Sequence, residues 1–408
     1  MSAVAPVPAA QQDAPLPDAA ALAQRPDEHW PYYAEDEIAA VAEVLRSGKV
    51  NQWTGPYVAH FEQALTERFG GVHGIALANG SVALELALRA FGIGPGDEVV
   101  VTPRTFVASA YCAMLVGATP VFADVDPDSG NLTAATIEPV LTERTKAIIP
   151  VHLAGWPTDM DAIMALARDR GVKVIEDCAQ AHGAEIDGRS VGSFGDAATF
   201  SFCQDKIIST GGEGGYASFR DRQAYEWAWS FKDHGKNRQK MASEPDKPGF
   251  RWVHDAVGTN WRLTGPQAAL GLLQLAKLDE WRAARERNAG IWTEALRQVE
   301  GLRLPTPQEG ARHALYKLNF YVDRDHGAEA IRDEILARAT DAGLRLFSGS
   351  CSEIYREKSF ESMAQPPLPV AQRLGETSLM VEVHPTLRPD LLALRAQTLA
   401  TIARRVLG

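Results

Sequence analysis

Short apolar runs alternate with helical segments from about residue 97 onward, and this alternation constrains the fold more than any other feature. The runs EVVVTP, TPVFADV, KAIIPVH and VKVIED are rich in β-branched residues, and the segments TFVASAYCAMLVG and MDAIMALARDRG have helical spacing. This pattern predicts an α/β fold whose mostly parallel sheet is covered by helices on both faces. In such sheets ligands bind beyond the carboxyl ends of the strands.

Polar residues that suit one type of cofactor follow two predicted strands in the stretch 172–216. They are Asp177, Gln180, Ser201, Lys206 and the glycine cluster 211–215. An acid at one strand end and a lysine just past another suit a cofactor with a basic ring nitrogen and an aldehyde, and pyridoxal phosphate is such a cofactor. The lysine would form the Schiff base, and the acid would hold the proton of the ring nitrogen. Each residue alone is better explained as a turn cap or a surface side chain, so the combination carries the prediction.

The segment 74–92 predicts a place for the phosphate. A strand, IALANG, leads through a glycine turn into a helix, SVALELALRAFG. The free N–H groups of Gly80, Ser81 and Val82 would point at an anion, and the helix dipole would favour its charge. The simpler interpretation is an N-capped core helix.

The motifs EDCAQAHGA and SFCQDKIISTGGEGG resemble the DegT/StrS-type family, pyridoxal-phosphate-dependent enzymes that aminate keto-sugars attached to nucleotides. The resemblance runs from about His29 to the C-terminal helix and includes the segment VGTNWRLTGPQAALGLLQLAKL. It implies the fold type I aminotransferase architecture: a large domain with a mixed, mostly parallel sheet flanked by helices, and a smaller C-terminal α/β domain. We expect a disordered Ala/Pro-rich tail over 1–28, the large domain over 29–275, and a long helix with the small domain over 276–408.

The resemblance also implies roles for individual residues. Lys206 and Asp177 would be catalytic, and Gln180 would lie against the cofactor ring or its oxygen. The phosphate ligands would be Gly80, Ser81, Ser201 and Asn260.

Two of the implied roles have simpler alternatives in the sequence. Phe106 would stack on the cofactor ring, although a core phenylalanine facing the sheet explains it nearly as well. Asn260 would cross a homodimer interface to the partner's cofactor phosphate, although a turn residue before a helix is an alternative.

Composition restricts the possible partners. Lys and Arg number 41 against 52 Asp and Glu, a net charge of −11, which argues against a general nucleic-acid surface. A local basic pocket for a nucleotide diphosphate remains compatible with this charge. Its candidates, each otherwise explained as a solvated side chain, are Arg104, Lys232, Lys236 and Arg238.

Cysteine usage and hydropathy indicate the compartment. The four cysteines form no CxxC pair, so free thiols in a reducing, cytoplasmic setting are the simplest interpretation. Apolar runs are too short to predict a membrane span, and the sequence lacks the ligand spacing of a zinc site.

The predicted function is transfer of an amino group from an amino acid, glutamate by analogy with the family, to a nucleotide-linked keto-sugar. Three alternatives stay open. A sugar dehydratase of the same fold is disfavoured because that branch has histidine where this chain has Lys206. A keto-cyclitol aminotransferase and a non-catalytic cofactor-binding regulator are the others.

Overall fold

The structure is a computed structural model, and it describes residues 16–243, 250–349, 352–363 and 367–408. The strands are β1 His73–Leu77, β2 Glu98–Val101, β3 Thr119–Phe122, β4 Thr145–Ile149, β5 Lys173–Asp177, β6 Glu185–Ile186, β7 Arg189–Ser190, β8 Ala197–Ser201, β9 Gly215–Phe219, β10 Leu302–Arg303, β11 Ala311–Arg312, β12 Leu318–Val322 and β13 Ser378–Val381.

The helices alternate with these strands along much of the chain. They are α1 Ala19–Leu22, α2 Glu35–Ser47, α3 Tyr57–Phe69, α4 Gly80–Ala90, α5 Ala108–Leu115, α6 Ala134–Ile137, α7 Met160–Arg170, α8 Arg222–Phe231, α9 Arg238–Ser243, α10 Gly265–Ala276, α11 Leu278–Leu296, α12 Ala328–Asp341, α13 Pro369–Thr377 and α14 Pro389–Leu407. Within these described residues, no helix is both long and apolar enough to cross a bilayer.

The large sheet has seven strands in the order β1-β9-β8-β5-β4-β2-β3. Strand β9 runs antiparallel to both of its neighbours, β1 and β8, and the other pairings are parallel. Six strands therefore end on the same side, which we call the carboxyl edge, and β9 begins there. The predicted α/β class with a mixed, mostly parallel sheet is confirmed.

The small domain is a three-stranded antiparallel sheet, β10-β12-β13, with helices packed against it. Helix α11 spans both domains: Leu278 belongs to a core cluster of the large domain, whereas Trp292 and Leu296 belong to the core of the small one. The change of core thus falls inside this helix. The predicted boundary at 275/276 remains a prediction.

Residues 16–28 differ from the predicted disordered tail, and residues 1–15 lie outside the described part of the chain. Leu22 is buried in the core of the small domain. Glu28 is fully buried and accepts two hydrogen bonds from Arg395 of α14, at 2.9 and 2.7 Å. Composition indicated disorder because the segment has little periodicity of its own. Its order comes from partners more than 350 residues away.

Candidate active site

The carboxyl edge gathers several of the predicted site residues. Asp177 and Ser201 end β5 and β8, which are adjacent parallel strands. Lys206 lies in the loop that follows β8, Gly80 begins the helix after β1, and Phe106 follows β2. Residues far apart in sequence meet here because parallel strands all end on the same side.

Asp177 is buried and held by two hydrogen bonds. Ser109 Oγ donates to Oδ2 at 2.8 Å, and the N–H of Ala179 donates to Oδ1 at 3.1 Å. Burial raises the pKa of the Asp177 carboxyl, while these two hydrogen bonds and the nearby Lys206 oppose the shift. Among the described residues the carboxylate has no ion pair within 4.0 Å, so a cation beside it would be strongly favoured.

Lys206 is mostly covered, and its surroundings come from three parts of the chain. Its Nζ lies 3.8 Å from Asp205 Oδ1 and 4.9 Å from the centre of the Tyr316 ring. The Tyr316 hydroxyl donates a short hydrogen bond to the Asp205 carboxylate. The Lys206 carbonyl accepts the indole N–H of Trp30 at 2.8 Å.

The predicted phosphate site combines the start of α4 with the end of β8. A Cβ added to Gly80 would lie 2.6 Å from Ser201 Cβ, so glycine is required for this close approach. The first two residues of α4, Gly80 and Ser81, leave N–H groups without an intrahelical acceptor. The prediction for Val82 is wrong, because the Asn79 side chain accepts its N–H at 3.0 Å. Two backbone donors, rather than three, face the site.

Phe106 is 59% exposed, and the alternative that it is a core residue is wrong. The N–H of Ser109 donates to the Phe106 carbonyl, and the Ser109 hydroxyl reaches Asp177. The turn 106–109 therefore links Phe106 to the Asp177 carboxylate through Ser109.

Gln180 is buried, and its Oε1 accepts the N–H of Ala154 at 2.7 Å. Ala154 has a positive φ of 55°, which is uncommon for a residue with a Cβ. The carbonyl oxygen of Ala154 in turn accepts the N–H of Tyr316 at 3.0 Å. Gln180 thus holds the loop after β4, which in turn bonds to the segment that precedes β12.

A sequence profile of the DegT/DnrJ/EryC1/StrS aminotransferase family matches residues 31–394. The chain belongs to this family. It is similar to the aminotransferase from Psychrobacter cryohalolentis, a solved structure with 46% identity and a TM-score of 0.90 that covers 93% of this chain and 99% of that one.

Two sequence relatives of the chain have names that specify their substrates or products. The UDP-N-acetyl-3-dehydro-alpha-D-glucosamine 3-aminotransferase of Acidithiobacillus ferrooxidans is 39% identical over 83% of this chain and 85% of the relative. The GDP-perosamine synthase of Caulobacter vibrioides is 38% identical over 81% of this chain and 85% of the relative. The predictions of fold type I and of a transaminase are confirmed.

Pyridoxal phosphate is the cofactor that this aminotransferase family implies, and the residues at the carboxyl edge fit it. Asp177 is a buried carboxylate without an ion pair among the described residues, which suits a protonated ring nitrogen. Gly80 leaves room beside Ser201 where a Cβ would collide. The N–H groups of Gly80 and Ser81 suit a phosphate at a helix N-terminus.

Asn260 of this aminotransferase is exposed, and the two residues that follow it bond to the end of β1 at the carboxyl edge. Arg262, two residues on, forms an isolated bridge with Leu77 of β1, and the Trp261 carbonyl accepts the N–H of Ala78 at 2.9 Å. Among the described residues, the Asn260 carboxamide makes one long contact, of 3.5 Å, with the Arg262 N–H. Its predicted reach to a partner's cofactor remains a prediction.

The basic candidates differ in exposure. Lys232 is fully buried and Arg104 is 1% exposed. The Lys232 Nζ donates to Gln52 Oε1 at 2.8 Å and lies 3.9 Å from Glu62 Oε1. The interpretation of Lys232 and Arg104 as solvated side chains is therefore wrong. Lys236 and Arg262 both contact the buried carboxylate of Asp233.

A buried hydrogen-bond network beside the site holds the backbone in place. Glu176 accepts the N–H groups of Gly192, Phe194 and Gly195 at 2.7–2.8 Å. His152 Nδ1 accepts the N–H of Thr158, so its Nε2 carries the proton and faces Glu176 at 3.2 Å.

The same network contains the potential metal-ligand atoms of His152, Glu176 and Cys178, which lie within 4.8 Å of one another. Burial opposes ionisation of Glu176, but the hydrogen bonds from His152 and the backbone lower its pKa. The imidazole and the carboxylate already bond to protein groups, and Glu176 holds the turn 192–195, so we assign this trio a structural role.

Sequence reasoning missed several residues that hold the predicted catalytic pair. They are Trp30, Ser109, Asp205 and Tyr316. Asp205 directly precedes Lys206 and could have been considered. The other three are separated from their partners by 68 to 176 residues, and no local pattern marks them.

Proposed function

We propose that this aminotransferase uses pyridoxal phosphate to move an amino group from glutamate to a nucleotide-linked keto-sugar. The observation that carries the proposal is the meeting of Asp177, Lys206 and the N-terminus of α4 at one carboxyl edge. The substrates named for the relatives from Acidithiobacillus ferrooxidans and Caulobacter vibrioides support the substrate class.

Each residue at the edge would have a defined task toward the cofactor. When bound, pyridoxal phosphate supplies an electron sink for the carbanion formed at the donor's α-carbon. Lys206 would hold the cofactor covalently and, when free, its Nζ would carry the proton taken from that carbon. Asp177 would keep the ring nitrogen protonated, and Ser109 would orient the Asp177 carboxylate. Gly80 and Ser81 would donate their N–H groups to the phosphate.

A cluster of cations beside β1 supports a diphosphate-binding role. Asp233 is fully buried and contacts both Lys236, at 3.1 Å, and Arg262. One acid holding two cations leaves a net positive charge at this place, in a chain of net charge −11. Lys236 Nζ also lies 4.3 Å from the centre of the half-exposed Trp53 ring. We propose that this cluster receives the nucleotide diphosphate.

A homodimer with shared active sites is part of the proposal. The loop that precedes Asn260 exposes large apolar side chains: Trp252 is 80% and Val257 is 90% exposed. Exposed apolar patches of this kind mark interaction sites. A second copy of the chain would cover them and bring the exposed Asn260 toward the other subunit's cofactor phosphate, as the family resemblance implies.

An assay of substrate classes tests the proposal. The protein, supplied with pyridoxal phosphate and glutamate, is offered nucleotide-linked keto-sugars, the matching free keto-sugars, and inososes, and 2-oxoglutarate formation is measured. Turnover restricted to the nucleotide-linked compounds and absent in Lys206→Ala is the expected result. If inososes or free keto-sugars react equally well, the nucleotide-sugar assignment is wrong and the cyclitol function takes its place.

A further inference from the structure

The catalytic lysine stands in irregular backbone, so its position depends on contacts from outside the sheet. Lys206 lies between β8 and β9, and its own N–H makes a tight turn to the Cys203 carbonyl at 3.1 Å. The next two residues, Ile207 and Ile208, are buried in a large-domain core. Burial of Ile207 and Ile208 anchors the chain after the lysine. The orientation of the Lys206 peptide group depends on the hydrogen bond that its carbonyl accepts.

That carbonyl accepts a hydrogen bond from a residue 176 positions earlier in the chain. Trp30 Nε1 donates to Lys206 O at 2.8 Å, a good hydrogen-bond length. The indole ring is itself held on two sides: Trp281 packs edge-on at 5.0 Å between ring centres, and the Arg285 guanidinium lies 5.1 Å from the ring centre. The donor is therefore in a fixed orientation.

The segment that carries Trp30 is fastened to the small domain. Glu28 forms the buried ion pair with Arg395 described above, and it also accepts the N–H of Arg388 at 3.0 Å. Thr386 Oγ donates to the carbonyl of His29 at 2.9 Å. These bonds place Trp30 on a rigid support formed by α14 and the residues that precede it.

We infer that Trp30 is a positioning residue, which orients Lys206 for its covalent bond to pyridoxal phosphate through the bond from its indole N–H to the lysine carbonyl. The inference rests on the proposed function. A lysine side chain has several rotatable bonds, and a backbone fixed at its root restricts where its Nζ can lie. The phosphate donors at Gly80 and Ser81 belong to a different loop, so Trp30 should affect the covalent attachment and leave phosphate binding unchanged.

Comparison of two forms of the cofactor isolates this effect. Pyridoxal phosphate bonds to the lysine, whereas pyridoxamine phosphate has the same ring and phosphate but cannot form that bond. The dissociation constants of both are measured for wild type, Trp30→Phe and a matched control, Trp292→Phe. Trp292 Nε1 also donates to a backbone carbonyl, that of Glu382, at 3.2 Å, but it lies in the small-domain core and does not contact the lysine.

Trp30→Phe should weaken pyridoxal phosphate binding by up to about 10-fold, the upper limit set by one net hydrogen bond, and leave pyridoxamine phosphate binding unchanged. Trp292→Phe should lower the melting temperature and keep the ratio of the two constants at the wild-type value. An equal loss for both cofactor forms in Trp30→Phe, or an unchanged ratio, would overturn the inference.

A second variant covers the case in which Trp30→Phe does not fold. Benzothienylalanine at position 30 keeps the size of the indole and replaces its N–H by sulfur, so it should produce the same change in ratio. Failure of the proposed function has a different signature: wild type itself would not bind pyridoxal phosphate more tightly than pyridoxamine phosphate, and borohydride would fix no cofactor on Lys206. That result would overturn both statements.

Discussion

Gly80→Ala tests whether the start of α4 holds the cofactor phosphate. The added Cβ would lie 2.6 Å from Ser201 Cβ and 3.2 Å from Ser201 Cα. Carbon atoms in contact prefer about 3.5–4.0 Å, so α4 and β8 must separate by roughly 1 Å. Overpacking of this kind costs about 1–3 kcal/mol. The replacement of glycine in a helix recovers at most about 1 kcal/mol of that cost.

A displacement of about 1 Å also moves the two N–H groups that would donate to the phosphate. Hydrogen bonds to a charged group contribute about 1.5–3 kcal/mol each, so loss of one predicts roughly 10- to 150-fold weaker cofactor binding. The assay is a titration of cofactor-free protein with pyridoxal phosphate and with pyridoxamine phosphate. Both should weaken to the same degree, because both carry the phosphate.

Two further variants make this prediction specific. Gly290→Ala lies on α11, where an added Cβ meets no atom within 4 Å, and it should bind the cofactor like wild type. The double variant Gly80→Ala with Ser201→Gly removes the colliding Cβ together with the Ser201 hydroxyl, a predicted phosphate ligand; relative to Ser201→Gly alone it should therefore lose little further affinity. Wild-type binding by Gly80→Ala alone would refute the reasoning, since it would mean that the phosphate lies elsewhere.

Three other predictions concern the catalytic pair, the dimer and stability. Asp177→Asn should keep the fold and lose at least about 10- to 100-fold in turnover, because an amide cannot hold the ring-nitrogen proton; near-normal rates would mean that another group faces that nitrogen. Lys206→Ala and Asn260→Ala should each be nearly inactive, and mixing them under conditions that exchange subunits should restore activity, because one site in each mixed dimer would be intact; no recovery despite proven exchange would place both residues in one subunit's site. Burial opposes ionisation of Glu28, but Arg395 and backbone N–H groups lower its pKa from 4.5 to about 2, so the carboxylate contributes on the order of 3 kcal/mol above pH 4.5 that is lost as pH falls toward 2. Denaturant unfolding of Glu28→Gln should show a stability deficit that shrinks below pH 4.5, and a deficit independent of pH would contradict this.

The sequence predicted the class of fold, and it predicted that the candidate site residues meet at the carboxyl edge of the sheet. Both depend on local patterns: β-branched runs mark strands, and parallel strands bring their ends together. Asp177, Ser201 and Lys206 follow such runs directly, so their neighbourhood could be inferred without knowing any contact. Gly80 could be placed for the same reason, because a strand and a helix flank it.

The residues that fix the orientation of these groups could not be predicted. Trp30 and Tyr316 lie 176 and 111 residues from the partners they bind. Lys232 follows α8, at a place in the chain where a charged residue is usually exposed to solvent, yet it is fully buried, with a hydrogen bond to Gln52 and an ion pair to Glu62. A pattern of one segment does not contain information about which other segment packs on it. The same limit explains the error for residues 16–28, whose order comes from α14.

The contact between Gln180 and Ala154 gives the site a chemical direction. The Gln180 oxygen accepts a backbone N–H, which orients the amide and leaves its nitrogen without a hydrogen bond to any other described residue. An amide nitrogen donates and does not accept. The two N–H groups of this nitrogen suit a ligand oxygen that carries a lone pair or negative charge, while one lone pair of the amide oxygen is already used. A single main-chain bond thus orients the amide and biases this position toward ligand atoms that accept hydrogen bonds.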